Sequence, residues 1–296
     1  MPETLTAIPV FFRPEMVALE ASTSSPSAAK PALVVADWQT HGLPIQVLDF
    51  EPVDQDTLAL AHERTYVQGV LAGNVPNGFG NRKPQVTASL PFTSGSMLAA
   101  ARAALVNGRV ACAPVSGFHH AGFSHGGGFC TFNGLIVAAM ALKRDGSVSR
   151  VGILDLDQHW GDGTHDIIGR LQLSWISHHS PGPEAPRAAD AERYLRRLPG
   201  IVSTFHDCDL LLYLAGADAH VDDPLGGWMT SEQLAERDRI VFEVAATTTV
   251  GVPVAWNLAG GYQRDAQGGI EPVLAIHRRT MEGSAGVFIA DRARDG

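Results

Sequence analysis

From about residue 56 the chain alternates between two apolar patterns. Four stretches, 56–73, 94–108, 132–146 and 231–245, carry apolar residues at helical spacing, and the first three close on glycine. Between and after them lie short apolar runs: VACAPV at 110–115, VGILDLD at 151–157, LLLYLA at 210–215 and VPVAWNLA at 252–259. Buried strands interleaved with helices predict an α/β fold, an open and mainly parallel sheet with helices on both faces. Segment 21–31, ASTSSPSAAKP, is small, polar and proline-bearing and reads as a loop. No comparable linker follows, so a single domain over residues 1–296 is expected, without internal repeats.

Open parallel sheets bind ligands beyond the carboxyl ends of their strands. Here each apolar run is followed directly by polar or reactive residues. VACAPV leads into SGFHH with His119 and His120, and VGIL into DLDQHWGDG. LLLYLA leads into GADAH with Asp218, and VPVAWNLA into GGY with Tyr262. The pattern predicts that four strand ends meet in one place.

Composition narrows the class. Of 296 residues, 45% are hydrophobic and 18% charged, which excludes wholesale disorder. A net charge of −9 lacks the footprint of a nucleic-acid binder and tolerates a cationic substrate. No apolar run approaches the about 20 residues of a membrane span, and no basic-then-apolar leader is visible near Met1. Three scattered cysteines give neither a disulfide framework nor a cysteine zinc cluster. The expectation is a soluble cytoplasmic protein. The 12 histidines are the unusual count, and several sit at strand ends.

In an extended segment, residues two apart share a side, so Asp155, Asp157 and His159 are expected to project together. Carboxylate and imidazole are zinc ligands, and three protein ligands with an open position is the catalytic pattern. A capped strand end with a solvated acidic turn is the plain alternative. Asp218 reads either as a fourth member or as the N-cap of the next helix. Two adjacent histidines ahead of the glycine-rich 126–129 are hard to explain by packing. Tyr262, behind two glycines, is either ordinary packing or a polar-tipped ring with close backbone approach.

The segments SGFHHAGFSHGGGFCTFN (116–133), ILDLDQHWGDGTHD (153–166), YLAGADAHVDDPLGG (213–227) and AGGYQ (259–263), in this order, resemble the histone deacetylase superfamily of zinc-dependent amidohydrolases. The likeness is nearest to class IV, in a bacterial-type single-domain form, and covers roughly residues 90–263. Before that it is carried only by AHERTYV at 61–67. The resemblance implies an arginase-like α/β fold and removal of an acyl group from an acylated lysine or other acylated amine. It matches Asp157, His159 and Asp218 to the metal ligands, with zinc or ferrous iron as the metal. His119 and His120 match the tandem histidines, Asp155 and Asp162 the carboxylates that hold them, and Tyr262 the catalytic tyrosine. Gly128 and Phe129 match one wall of the acyl-lysine tunnel. Asp155 also matches a structural monovalent-cation (K+) site whose serine is Ser174 or Ser177.

The sequence departs from that pattern in three places. Trp160 stands where many relatives carry a second histidine, and the stretch from residue 160 to 217 is short. In 177–190 a second aromatic wall is replaced by prolines and histidines; His178 and His179 read as entrance residues or exposed loop residues, and Glu184 as a candidate acidic gate. The stretch 68–90 holds no acidic residue to grip a substrate backbone, which leaves Asn77 or Asn81 as stand-ins. Cys130 and Cys112 read as buried filler. Two rivals remain. DAHVD at 218–222 is a dimanganese ureohydrolase motif taken alone, and acetylpolyamine or another small amide is an alternative substrate.

Overall fold

The computed structural model describes residues 5–19, 21, 25–181, 187–247 and 251–289. Seven strands form one sheet: β1 (Ile8–Phe11), β2 (Ile45–Leu48), β3 (Val110–Ala113), β4 (Val151–Asp155), β5 (Ile176–His179), β6 (Leu210–Leu214) and β7 (Val254–Asn257). Their order is β2-β1-β3-β7-β6-β4-β5, and every pairing is parallel. Nine α-helices accompany them among the described residues: α1 (Lys30–Thr40), α2 (Gln55–Leu58), α3 (Arg64–Leu71), α4 (Pro84–Asn107), α5 (Gly134–Arg144), α6 (Asp162–Leu171), α7 (Ala191–Ser203), α8 (Ser231–Thr247) and α9 (Glu271–Phe288).

Strand alternation sorts side chains to the two faces. Leu210, Leu212 and Leu214 join a core with Met97, Leu135 and Ile153 on the side of α2 to α6. Leu211 and Tyr213 join Trp38, Phe242 and Trp256 on the side of α1, α7, α8 and α9. Both faces of the central strands are therefore covered, which is why these runs read as apolar throughout.

The four strands expected from sequence are present, β3, β7, β6 and β4 adjacent at the centre of the sheet. Three more were not legible in the pattern. β1 and β2 are four residues each, and β5 is a polar edge strand, ISHH. The helix expected over 56–73 is two helices, interrupted at 59–63 where His62 turns inward. The helix expected from residue 94 begins at Pro84 and runs through Pro91.

The described residues of segment 21–31 form no helix or strand before Lys30, as the loop reading expects, but they are not solvated. Residues 22–24 lie outside the described residues, but α1 starts at Lys30, and Ser25, Ser27 and Lys30 are buried. No helix among the described residues is long and apolar enough to cross a membrane.

Candidate active site

Because β3, β7, β6 and β4 are parallel neighbours, their carboxyl ends lie on one edge, and the polar residues that follow them converge there. Strand β4 stops at Asp155, and side-chain bonds then bend the chain. The Asp157 amide donates to Asp155 Oδ1 (3.2 Å) and the His159 amide to Asp157 Oδ1 (2.9 Å). Such local bonds compete with extended backbone. Asp155, Asp157 and His159 consequently do not act as one strand face, which corrects the period-two expectation. Asp155 turns to His119, while Asp157 and His159 meet Asp218 from the end of β6.

His159 Nδ1 lies 3.2 Å from Asp157 Oδ1 and 3.1 Å from Asp218 Oδ2. One donor atom from each of Asp157, His159 and Asp218 falls within 4.8 Å of the others, and these form the one such group that could hold a metal ion among the described residues. Asp157 and Asp218 are buried. Two buried carboxylates side by side ionise as a pair. Burial and the Asp157 charge push Asp218 up to about 7. Burial opposes ionisation of Asp157, but His119 and His159 outweigh it and hold Asp157 low. The two carboxylate bonds raise His159 to about 10. A hard, oxygen-rich O,O,N donor set converging on one point fits a divalent cation such as zinc or ferrous iron.

The rest of each strand-end loop is fixed by backbone donors. Gly260 N–H donates to Asp157 Oδ2 (2.8 Å), and Gln158 N–H to Asp218 Oδ1 (3.1 Å). Residue 260 must be glycine, since a Cβ there would lie 2.1 Å from Asp218 Oδ2.

The two histidines after β3 have different surroundings. His119 is buried and its Nδ1 donates to Asp155 Oδ2 (2.8 Å); His120 Nδ1 donates to Asp162 Oδ1 (2.6 Å), at the more open side. Burial pushes His119 down, but Asp155 and Asp157 outweigh burial and set it at about 9. His120 is lowered by burial and by the neighbouring His119, against the pull of Asp162. The pair thus divides into a cationic and a neutral imidazole whose rings sit 4.1 Å apart.

Tyr262 follows β7. Its backbone N–H donates to Asp223 Oδ2 (2.8 Å), and its ring lies 5.7 Å from Phe129. Burial, then the Asp157 and Asp218 charges, push the phenol up, so it stays a donor. Phe79 packs on the other side of Phe129 at 5.6 Å. Gly128 has φ +52°, and a Cβ on it would meet His120 Cδ2 at 2.4 Å, so the glycine lets this loop reach His120. Cys130 is buried, its thiol pushed up by burial, which suits filler.

Several site-bearing residues were not singled out from sequence. Lys30 donates to the carbonyl of Ala259 (2.8 Å), a non-glycine residue at φ +47°. Burial lowers Lys30 to about 8, with Asp218, Asp157 and Asp223 opposing. His62 bridges the Gly122 carbonyl (2.9 Å) and the Asn133 amide (2.8 Å), and Tyr66 donates to the Thr131 carbonyl (2.8 Å). The faint AHERTYV signal therefore marks residues that brace the loop between β3 and α5.

Other expectations are corrected. Ser177 pairs in register with Gly152 and accepts from Arg150 (3.5 Å), at the amino end of β4, and Ser174 lies in the preceding turn. Neither reaches Asp155. The nearby serine is Ser180, which accepts from Gly161 N–H (3.3 Å). His178 and His179 belong to β5, not to an exposed loop. His178 stacks on Trp160 at 5.6 Å, and His179 meets Tyr194 (3.3 Å). Asn77 and Asn81 bond each other (2.9 Å), and Asn77 is buried, so neither stands ready as a rim group. Glu184 lies outside the described residues. His220 pairs with Ser231 (3.0 Å) rather than with Asp218, so the DAHVD motif builds no second centre.

A parallel α/β sheet with three residues that could hold a metal ion, two carboxylate-held histidines and a half-buried tyrosine at its carboxyl edge defines an α/β protein with its candidate site at the strand ends. Comparison specifies it further. The histone deacetylase domain profile matches residues 27–187, so the chain belongs to the histone deacetylase family, and the match begins well before the motif-bearing core at residue 90. An uncharacterized protein of Picosynechococcus is 30% identical over 267 residues, covering 81% of this chain and 86% of that protein. Among solved structures, the HDA15 HD domain has a TM-score of 0.77 at 20% identity, covering 96% of this chain and 90% of that one. An acetylpolyamine aminohydrolase from Burkholderia pseudomallei has a TM-score of 0.70 at 19% identity, covering 95% and 99%.

Proposed function

We propose that this chain is a metal-dependent amidohydrolase that removes the acyl group of an acylated amine, with acyl-lysine as the substrate class. The observation that carries the reading is the convergence of Asp157, His159 and Asp218 beside two histidines held by Asp155 and Asp162, with Tyr262 within reach of the Asp157 and Asp218 charges. Zinc or ferrous iron held by those three residues would supply Lewis-acid polarisation of the scissile carbonyl and acidify the attacking water.

The chain's own groups divide the remaining work. His120, kept neutral by burial and by charged His119, accepts the proton of the attacking water at its Nε2 and returns it to the departing amine. Asp162 fixes that tautomer by accepting from Nδ1. His119, held by Asp155, supplies fixed positive charge. Tyr262 donates to the oxygen on which negative charge develops. Phe129, flanked by Phe79, shields one side of an alkyl chain.

Two observations bear on the substrate. With Asn77 and Asn81 turned to each other and no acidic residue in 68–90, that stretch offers no carboxylate to grip a peptide backbone, which supports recognition centred on the acylated side chain. A cavity of about 50 Å³, lined by Met16, Ser27, Phe118, Phe129 and Phe132 among others, shares with the site the Phe129 that packs on Tyr262. It supports an acyl group larger than acetyl. The structural likeness to an acetylpolyamine aminohydrolase supports acylated polyamines as the second substrate reading.

One activity panel tests both: acetyl-, butyryl- and myristoyl-lysine peptides and acetylpolyamine, with a hydroxamate control and metal analysis. Faster cleavage of acyl-lysine than of acetylpolyamine, with an extended acyl group preferred over acetyl, is expected. Preference for acetylpolyamine selects the second reading. No cleavage of any substrate by protein loaded with one metal ion refutes the amidohydrolase assignment, and two manganese ions per chain would revive the ureohydrolase rival.

A further inference from the structure

Helix α8 sends one cation into the interior. Arg237 is 1% exposed, and its Nη1 donates to two carbonyls, Leu156 (3.0 Å) and Gly216 (2.8 Å). Leu156 lies between Asp155 and Asp157, and Gly216 lies two residues before Asp218. A single guanidinium nitrogen thus ties the loop after β4 to the loop after β6. The two loops touch there: a Cβ on Gly216 would lie 2.7 Å from both Asp157 Cα and Asp218 Oδ1.

The guanidinium is itself held. Arg237 Nε donates to Asp238 Oδ1 (2.7 Å), and Asp238 also accepts from the Tyr213 hydroxyl and from Thr280 Oγ1 (2.5 Å). Tyr213 lies on β6 and Thr280 on α9, so the anchor joins the sheet to α8 and α9. Burying a charge is expensive, and an apolar side chain of similar volume would fill the space at lower cost. What an apolar residue cannot do is bond two backbone carbonyls at once in a fixed planar geometry.

We propose that Arg237, anchored by Asp238, is a positioning residue: it fixes the separation of the Asp157 and Asp218 carboxylates and thereby sets the affinity of the pocket for a divalent cation. The inference rests on the reading of those two aspartates as metal ligands. Groups that orient metal ligands typically govern about 10- to 100-fold in metal affinity.

The test measures zinc binding alone, by competition with a chelating indicator, on full-length wild type, Arg237→Lys, Thr280→Val and the ligand control Asp218→Asn. Lysine keeps the charge but loses the planar, twofold donor. Arg237→Lys is expected to bind zinc about 10- to 100-fold more weakly, and Thr280→Val more weakly by a smaller factor. Zinc is also expected to raise the melting temperature of Arg237→Lys less than that of wild type, whereas a merely structural role lowers the apo and zinc-bound values equally. A folded Arg237→Lys with wild-type zinc affinity, while Asp218→Asn loses zinc, overturns the proposal and leaves the metal reading intact. Should Arg237→Lys not fold, unchanged affinity in Thr280→Val overturns it. A wild type that binds no zinc overturns the metal reading and the proposal with it.

Discussion

Replacing Tyr262 by phenylalanine removes one oxygen from a ring whose place is otherwise set. The backbone is pinned by the bond from Tyr262 N–H to Asp223 (2.8 Å), and the preceding loop by Gly260 N–H to Asp157 (2.8 Å). The ring also packs on Phe129 at 5.7 Å. None of these depends on the hydroxyl, so the variant is expected to fold with its pocket intact. The substitution leaves those backbone bonds and the ring packing in place, so little ground-state stability is lost. The transition-state loss is larger, because a preorganised donor in a buried site is typically worth about 2.7–4 kcal/mol, or about 100- to 1000-fold in kcat.

The assay is steady-state cleavage of a fluorogenic acyl-lysine substrate, with KM and kcat determined separately and metal content measured on the same preparation. Expected are a kcat loss in that range, a KM within a few-fold of wild type and an unchanged metal-to-protein ratio. A kcat within tenfold of wild type refutes the donor role. A fall in metal content that accounts for the lost rate refutes the argument that the hydroxyl is separable from the site's frame.

Two further outcomes follow from the histidine pair and the cysteine. Asp162 raises His120 against burial, so Asp162→Asn is expected to lower the His120 pKa further; the acid limb of the kcat/KM profile then moves to lower pH, together with a reduced plateau, and an unmoved or upward-moved limb contradicts the assignment of His120 as base. Cys130→Ala is expected to retain most activity, and the native thiol to resist alkylation at neutral pH, because burial holds it protonated; inactivation by alkylation of Cys130 alone with retained fold would disprove the filler role.

The central part of this fold was readable because its residues advertise themselves locally. Buried strands are apolar on both faces, paired histidines at a strand end are hard to explain by packing, and the D-x-D-x-H run, ambiguous alone, gains its meaning from the ordered motifs around it. What escaped notice depends on distance along the chain. Lys30 sits in a small, polar segment and acquires its surroundings from Ala259, far off in sequence. Arg237 looks like one charge among several on α8 until its two carbonyl partners are known. β3 and β7 are just as short as β1, β2 and β5, but β1 (IPVF) is interrupted by proline, and β2 (IQVL) and β5 (ISHH) carry polar residues because they are the two edges, so none of the three reads as a continuous apolar run. The serine near Asp155 was misassigned for a related reason. Counting along the chain cannot tell which end of a strand a residue reaches, and the β4–β5 register places Ser177 beside Gly152.

The strand order has a consequence for how the protein acquires its metal. The residues of the pocket come from four strands that are consecutive in space but not in the chain, since β7 and β6 are inserted between β3 and β4. Asp157 and His159 share the loop after β4, but the third ligand-bearing residue, Asp218, joins them only when β6 docks beside β4. Parallel pairings across such separations form late, after the loop-closure entropy has been met. A cation is therefore not available as a folding nucleus here, unlike in small metal-clip domains that are unfolded without their ion. Refolding rates should be insensitive to free zinc, while the unfolding rate falls with it, so metal would act as a latch on a completed structure rather than as a template for it.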